Sequence, residues 1–334
     1  MNYIGSKHKL SSWIKECITQ TCEVPLAEAV FCDLFAGTGA VAKSFKADVK
    51  QILANDMEFY SYVLLKNYIG NYQNMDFEPL LKELNALDGV AGFISNNYAE
   101  GSKDRRLYFT KENGRKIDAI RLQIEVWKNT QKIDEATYFF LLASLIESAD
   151  KVANTASVYG AYLKKIKPSA TKTLVLMPAL FRETKNDHFV FQEDANALIK
   201  KINGDILYLD PPYNARQYGA NYHLLNTIAK MDIFVPKGKT GLREYAKSNY
   251  CKTGEVATSF EDLIANAQFK YIFLSYNNEG LLSQNKVENI MKRYGKYSLE
   301  TKDYQRFKAD KTENRNHKAD KTLEYLHVLK KSPL

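Results

Sequence analysis

Little in this sequence could build anything other than a packed core. Its 334 residues include 4 cysteines, 8 prolines and 16 glycines. The cysteines (Cys17, Cys22, Cys32 and Cys251) form no C-x-x-C pair and have no partnering histidine cluster, so neither a disulfide scaffold nor a zinc site is indicated. They are expected as reduced, mostly buried thiols, and no metal is expected. So few prolines and glycines exclude a collagenous or linker-dominated chain. Long apolar runs are also missing. The strongest, Tyr138–Ile146, stops at Glu147, well short of the ~20 residues that span a bilayer. The first ten residues, MNYIGSKHKL, carry no apolar stretch ahead of Lys7 and His8, so no secretory signal and no membrane partner are expected, and the expected location is cytoplasmic. What remains is 45% hydrophobic, enough for one enlarged domain or two.

Basic residues number 47 against 39 acidic, a net charge of +8. The surplus is uneven: Lys286–Leu334 holds thirteen basic and seven acidic residues. Interleaved tyrosines (Tyr294, Tyr297, Tyr304, Tyr325) suit a polyanion such as nucleic acid, and a lysine-rich soluble face explains the charge equally well.

Along the chain, Ala29–Phe35 is a short apolar run of β-formers, followed by AGTGAVAKSF, which turns on glycines and then reads as a helix. A second run, Gln51–Asn55, ends at Asp56 and completes a βαβ unit. Similar runs at 187–192, 205–209, 270–276 and 324–329 predict an α/β domain with a largely parallel sheet. Between Tyr72 and about Thr184 the spacing changes to three and four. Ile117, Ile120, Ile124 and Trp127 form one helical stripe, and Tyr138, Leu141, Leu145 and Ala149 another, predicting a helical insertion at 72–184 within a domain of 1–71 and 185–334.

Two segments carry chemistry. In Asp33–Gly39 (DLFAGTG), glycines at 37 and 39 let backbone approach a ligand closely, and the helix that follows offers unpaired N–H groups. The full G-x-G-x-x-G spacing is absent because residue 42 is Ala, which disfavours a dinucleotide site. Asp56, at the tip of the next strand, is placed either for ribose hydroxyls or as a helix cap. The second segment, Tyr208–Tyr213 (YLDPPY), ends a strand. Pro211 and Pro212 fix the chain extended without donating N–H groups, so the Asp210 carboxylate and neighbouring carbonyls project as a row of acceptors fit for an exocyclic amino group. Tyr213 adds an aromatic face for a planar base, unless the prolines merely cap the strand. A nicotinamide-dependent dehydrogenase would share the glycine loop but leaves the DPPY row unexplained.

Taken in order, NYIGSK (2–7), DLFAGTG (33–39), NDMEFYS (55–61) and DPPY (210–213) resemble the alpha-class, Dam-like DNA adenine-N6 methyltransferases. That resemblance implies a Rossmann-like class I methyltransferase fold with a target-recognition insertion, S-adenosyl-L-methionine as methyl donor, S-adenosyl-L-homocysteine as product, and double-stranded DNA as partner. It implies that Tyr3, Lys7, Asp33, Leu34, Phe35, Ala36, Gly37, Thr38, Gly39, Asp56, Met57, Asp194, Ala195 and Asp210 hold the cofactor. Asp210 and the Pro211 carbonyl would accept the amino protons of a flipped adenine, with Pro212 keeping the row rigid and Tyr213 stacking on the ring. After DPPY, Arg216, Gln217, Tyr218, Asn221, Tyr222 and His223 are candidates for base or phosphate contacts, a structural role for His223 being equally open. Lys237, Lys239 and Arg243 could touch phosphates. In the insertion, Arg105, Arg106, Lys111, Arg115 and Arg121 could contact DNA, arginine being the usual reader of guanine. The expected activity is site-specific methylation of DNA adenine, paired with a companion restriction endonuclease. The alternatives are an RNA adenine or DNA cytosine-N4 methyltransferase with the same cofactor, or a catalytically dead nucleic-acid-binding protein.

Overall fold

The computed structural model describes residues 7–71, 73–305 and 321–332. The chain divides into two compact units, one drawn from Ser6–Met57, Asn186–Gln217 and Lys247–Leu334, the other from Glu58–Lys185 and Tyr218–Ala246.

The first unit is α/β. Its strands β1 (Val30–Asp33), β2 (Gln51–Asn55), β3 (Phe189–Phe191), β4 (Asn203–Leu209), β5 (Gln268–Asn277), β6 (Gly295–Gln305) and β7 (Lys321–Lys331) form one sheet in the order β3-β2-β1-β4-β5-β7-β6. The first five are parallel to one another, as buried apolar runs joined by crossovers allow, while β7 lies antiparallel between β5 and β6. The sheet is therefore mixed rather than simply parallel. On one face Cys32, Leu34, Leu207, Leu209, Ile272, Leu274 and Leu329 pack on the helices Val256–Asn266 and Gln284–Met291. The opposite face carries Phe31 stacked 4.3 Å from Phe45 of the helix Ala40–Phe45, and Lys15 of the helix Ser11–Thr21 donates to the Ser44 carbonyl at 2.8 Å. The register sets Asp33 opposite Tyr208 and Leu209 opposite Leu274, so Asp33 and Asp210 both emerge at the carboxyl ends of central strands.

The second unit is helical. Thr110 caps the helix Lys111–Asn129 by accepting the Asn113 N–H at 3.2 Å, and Asp134 caps Glu135–Lys151 by accepting that of Thr137 at 2.8 Å. Ile117, Ile120, Ile124 and Trp127 are buried along one stripe, and Tyr138, Leu141, Leu145 and Ala149 along the other. The same core takes in Tyr60, Val63 and Leu64 from Phe59–Leu65 and Leu224, Leu225 and Ile228 from His223–Lys230. The segments 58–71 and 218–246, grouped with the sheet on sequence, thus cluster with the helices because their apolar faces are buried there. Among the described residues no helix is long and apolar enough to cross a membrane.

Candidate active site

The site is built where β1, β2 and β4 end. Leu34 donates its N–H to the Tyr208 carbonyl at 3.2 Å and Ala36 donates to the Asn55 carbonyl at 2.9 Å, fastening the three tips. Asn55 extends the lacing. Its buried amide donates to the carbonyls of Leu34 and Glu193, each at 3.1 Å, and accepts the Glu193 N–H at 2.9 Å. The chain then turns through Gly37 (φ +55°) and Gly39 (φ +74°), left-handed conformations that side chains rarely adopt. Gly37 donates its N–H to Asp56 Oδ2 at 2.8 Å, so Asp56 holds the glycine loop. The following helix, Phe59–Leu65, has Glu58 at its N-cap, without a side-chain cap hydrogen bond.

Asp33 is 1% exposed. Its Oδ2 accepts the Ala42 N–H at 3.1 Å, so part of the helix N-terminus expected to be open is already satisfied from within. Among the described residues its Oδ1 has no hydrogen-bond partner. Burial drives the Asp33 carboxyl up to about 8, against the Ala42 hydrogen bond and with the help of Asp210 and Asp56. Asp194 is exposed and caps the helix Ala195–Leu198 by accepting the Ala197 N–H at 3.0 Å, while Ala195 is buried. Phe35 meets Tyr250 edge-on at 5.0 Å, and Leu34 and Ala36 are buried. The Met57 carbonyl accepts from Gln192 at 3.2 Å. Tyr3 lies outside the described residues.

Asp210 follows the last residue of β4, and its Oδ1 is 3.0 Å from Lys7 Nζ. Burial would lower the Lys7 ammonium, but Asp210, Glu324 and Tyr213 hold it above the ordinary lysine range, so it stays charged. Burial raises the Asp210 carboxyl, with Lys7 opposing. Lys7 Nζ also lies 5.9 Å from the centre of the Tyr213 ring. That ring packs edge-on to Tyr276 at 6.4 Å, and the Tyr213 carbonyl accepts the Leu281 N–H at 2.9 Å. Close approach explains Gly280: a Cβ there would fall 2.0 Å from the Tyr276 ring. The sheet-unit residues read from sequence, Lys7, Asp33, Asp56 and the DPPY row, therefore assemble at the carboxyl ends of β1, β2 and β4.

Glu324 was missed. It sits on β7 opposite Asn277, is 8% exposed, and among the described residues its Oε2 has no hydrogen-bond partner. Burial raises its carboxyl, as does Asp210, while Lys7 lowers it. Nothing in the β7 segment marks it, because only the strand pairing brings it to this end of the sheet. Asn55 was missed in the same way.

The proposed DNA contacts separate into two groups. Arg105, Arg216, Lys237 and Lys239 are exposed, as is Lys111, and Arg115 and Tyr218 are half-buried. Four others are corrected by burial. Arg106 is 3% exposed, paired to Asp104 at 2.8 Å and donating to the Gly238 carbonyl at 3.2 Å. Arg121 is 4% exposed and donates to the Ile228 and Ala229 carbonyls at 3.1 and 3.0 Å, satisfying the last turn of His223–Lys230. Arg243 forms a two-pronged pair with Asp232 at 2.9 and 2.6 Å. Tyr222 is fully buried in the helical core. His223 is also structural: its Nε2 meets the Tyr159 carbonyl at 3.0 Å, and burial lowers its pKa to about 4, leaving the ring neutral. Gln217 is bonded to Ser248 in both directions, and the Asn221 carbonyl accepts from Tyr159 at 2.7 Å. Among the described residues no cluster of His, Cys, Asp or Glu could hold a metal ion.

The donor set fits a ligand that is cationic and carries ribose hydroxyls: a buried carboxylate oxygen on Asp33 that is unpartnered among the described residues, a loop free of Cβ atoms at 37 and 39, and the Asp56 carboxylate beside it. A family model for D12 class N6 adenine-specific DNA methyltransferases matches residues 3–290. The chain is 62% identical over 333 residues to the Type II methyltransferase M.NlaIII of Neisseria lactamica, covering 99% of this chain and 100% of that protein. It is 42% identical to the Type II methyltransferase M.FokI of Planomicrobium okeanokoites over 92% of this chain, spanning 50% of that longer protein. The Type II methyltransferase M.CviAII of Paramecium bursaria Chlorella virus 1 is 40% identical, with 92% and 93% of the two chains covered. The family model and the relatives place the protein among amino-methyltransferases. It belongs to the D12 class N6 adenine-specific DNA methyltransferase family, whose cofactor is S-adenosylmethionine.

Proposed function

We propose that this protein is an alpha-class, Dam-like enzyme that transfers methyl from S-adenosylmethionine to the N6 amino group of an adenine flipped out of duplex DNA. The observation that carries the reading is the Lys7–Asp210 pair at the mouth of the DPPY row. Lys7 takes one carboxylate oxygen and fixes the side chain. The other oxygen and the Pro211 carbonyl then accept the two amino protons of adenine, which turns the nitrogen lone pair out of the ring plane for attack. Tyr213 supports the ring. Asp33, the glycine loop and Asp56 are the residues that would hold the cofactor, which brings a methyl group activated by a positive sulfur. Positioning is the main contribution of the protein. Burial raises the proton affinity of Asp210, which suits it to receive the proton that the methylated nitrogen releases. The sheet order with its antiparallel β7 is consistent with a class I methyltransferase fold.

The helical unit, with its exposed Arg105, Lys111, Lys237 and Lys239, is the proposed DNA-recognition unit. The names of the relatives, Type II methyltransferases, support a modification role beside a restriction endonuclease. Asp210→Ala tests the central residue. Methyl transfer should fall by about 10²–10⁴-fold, while the cofactor dissociation constant from calorimetry stays within about tenfold. Retained turnover would remove Asp210 from the chemistry.

A further inference from the structure

The most exposed large apolar side chains among the described residues stand together in the helical unit. Ile233 is 89% exposed and Val235 81%, against 64% for the next, Leu180. Single exposed apolar residues are common on protein surfaces, but here the chain is held so that it presents both. The helix His223–Lys230 ends at Met231, whose left-handed conformation (φ +53°) turns the backbone out of the helix. Residues then alternate. Asp232 is clamped by Arg243, which is itself 7% exposed, at 2.9 and 2.6 Å. Phe234 packs on Phe93 at 5.0 Å, with the Arg243 guanidinium 5.0 Å above its ring. Ile233 and Val235 are left facing solvent.

The segment after Val235 is pinned as well. Lys237 and Leu242 exchange backbone hydrogen bonds at 2.9 and 2.7 Å, and the turn between them is tied by Tyr98 to the Gly241 carbonyl at 2.6 Å and by Arg106 to that of Gly238 at 3.2 Å. The buried Arg106 and Arg243 thus brace this projection. A mobile loop could fold its apolar side chains inward, whereas a braced one keeps them in water at a cost that a binding partner can relieve.

The charge around the pair identifies the partner. Residues 230–244 contain four basic and two acidic residues, and Arg243 is matched by Asp232. Lys230 and Lys239 are exposed, and the exposed Lys237–Glu244 pair at 2.9 Å is of the kind that a phosphate can displace. Two short branched apolar side chains flanked by lysines fit a surface that is anionic outside and apolar between its layers, which describes duplex DNA. We propose that Ile233 and Val235 form a wedge that enters between stacked base pairs, with Lys230, Lys237 and Lys239 on the flanking phosphates. Wedges of this kind unstack a base step and kink the duplex. The inference rests on the DNA reading above and adds the element that opens the stack.

The test uses the full chain with both positions changed, Ile233→Ser and Val235→Ser. Because both side chains are exposed, the circular dichroism spectrum and melting temperature should match wild type. Ile233→Leu with Val235→Leu serves as the apolar control. A relaxed plasmid is closed by ligase in the presence of each protein, and labelled methyl transfer is measured on duplex and on heat-denatured DNA. Wild type and the leucine variant should change the linking number. The serine variant should not, and should lose at least about tenfold in transfer to duplex while transfer to denatured DNA is retained. Unchanged linking number and duplex transfer in the serine variant, with wild type active on duplex, would overturn the wedge and leave the methyltransferase reading standing. The same holds if sedimentation shows a self-association that only the serine variant loses while its action on DNA is intact, because the patch would then belong to a second copy. Wild type that transfers no methyl to any DNA would overturn both.

Discussion

Asp33 shows how burying one carboxyl can weigh on the fold. Its carboxyl is buried, accepts one hydrogen bond among the described residues, and stands near Asp210 and Asp56, and burial above all raises its folded-state pKa to about 8. An acid whose folded pKa exceeds its unfolded value stabilises the fold fully below the unfolded pKa, and that contribution is lost as pH rises through the folded one. Asp33→Asn should therefore match wild type in melting temperature near pH 4 and exceed it above pH 8 in cofactor-free protein. Equal melting curves at both pH values would mean that Asp33 is solvated. The residues that sequence singles out are those whose chemistry is local to a motif, such as Asp210 between a strand and two prolines. Glu324 and Asn55 act on the same end of the sheet through strand pairing and tip lacing, which no local pattern records.

At the level of elements, strands buried on both faces were visible as apolar runs, and β1, β2, β4 and β5 fall where those runs are. Strand β6 was not visible. Its residues Gly295–Glu300 alternate between half-buried and exposed and Thr301–Asp303 are exposed, so that its exposed positions include Lys296, Glu300 and Lys302. Such charges protect an outer strand from pairing with other chains, and they also hide it from a search for hydrophobic runs. Arginines are ambiguous in the same way. A cluster of them in a helical insertion reads as a DNA contact, yet Arg121 is spent on the last carbonyls of the helix His223–Lys230 and on Glu125 at 2.8 Å. Arg121→Met should cost about 2–3 kcal/mol in urea unfolding, because buried acceptors lose a charged donor. DNA affinity of the folded variant should be unchanged. A loss of affinity without loss of stability would restore Arg121 to the DNA surface.

At the scale of the whole molecule, the described part of the chain crosses four times between two units, after residues 57, 185, 217 and 246. Hydrophobic periodicity predicts a helical insertion at 72–184, and it carries no signal at 218–246, because the helix His223–Lys230 reads the same whichever core buries it. The net charge is equally blind to location: much of the basic surplus falls in 286–334, a stretch whose residues 306–320 lie outside those described. What unites the molecule functionally is the claim that its DPPY row works on adenine in duplex DNA. The most direct measurement is transfer of labelled methyl from S-adenosylmethionine to mixed duplex DNA, followed by digestion to nucleosides and chromatography. The expected result is label in N6-methyladenine. Label in N4-methylcytosine, or label on RNA with none on DNA, would contradict it.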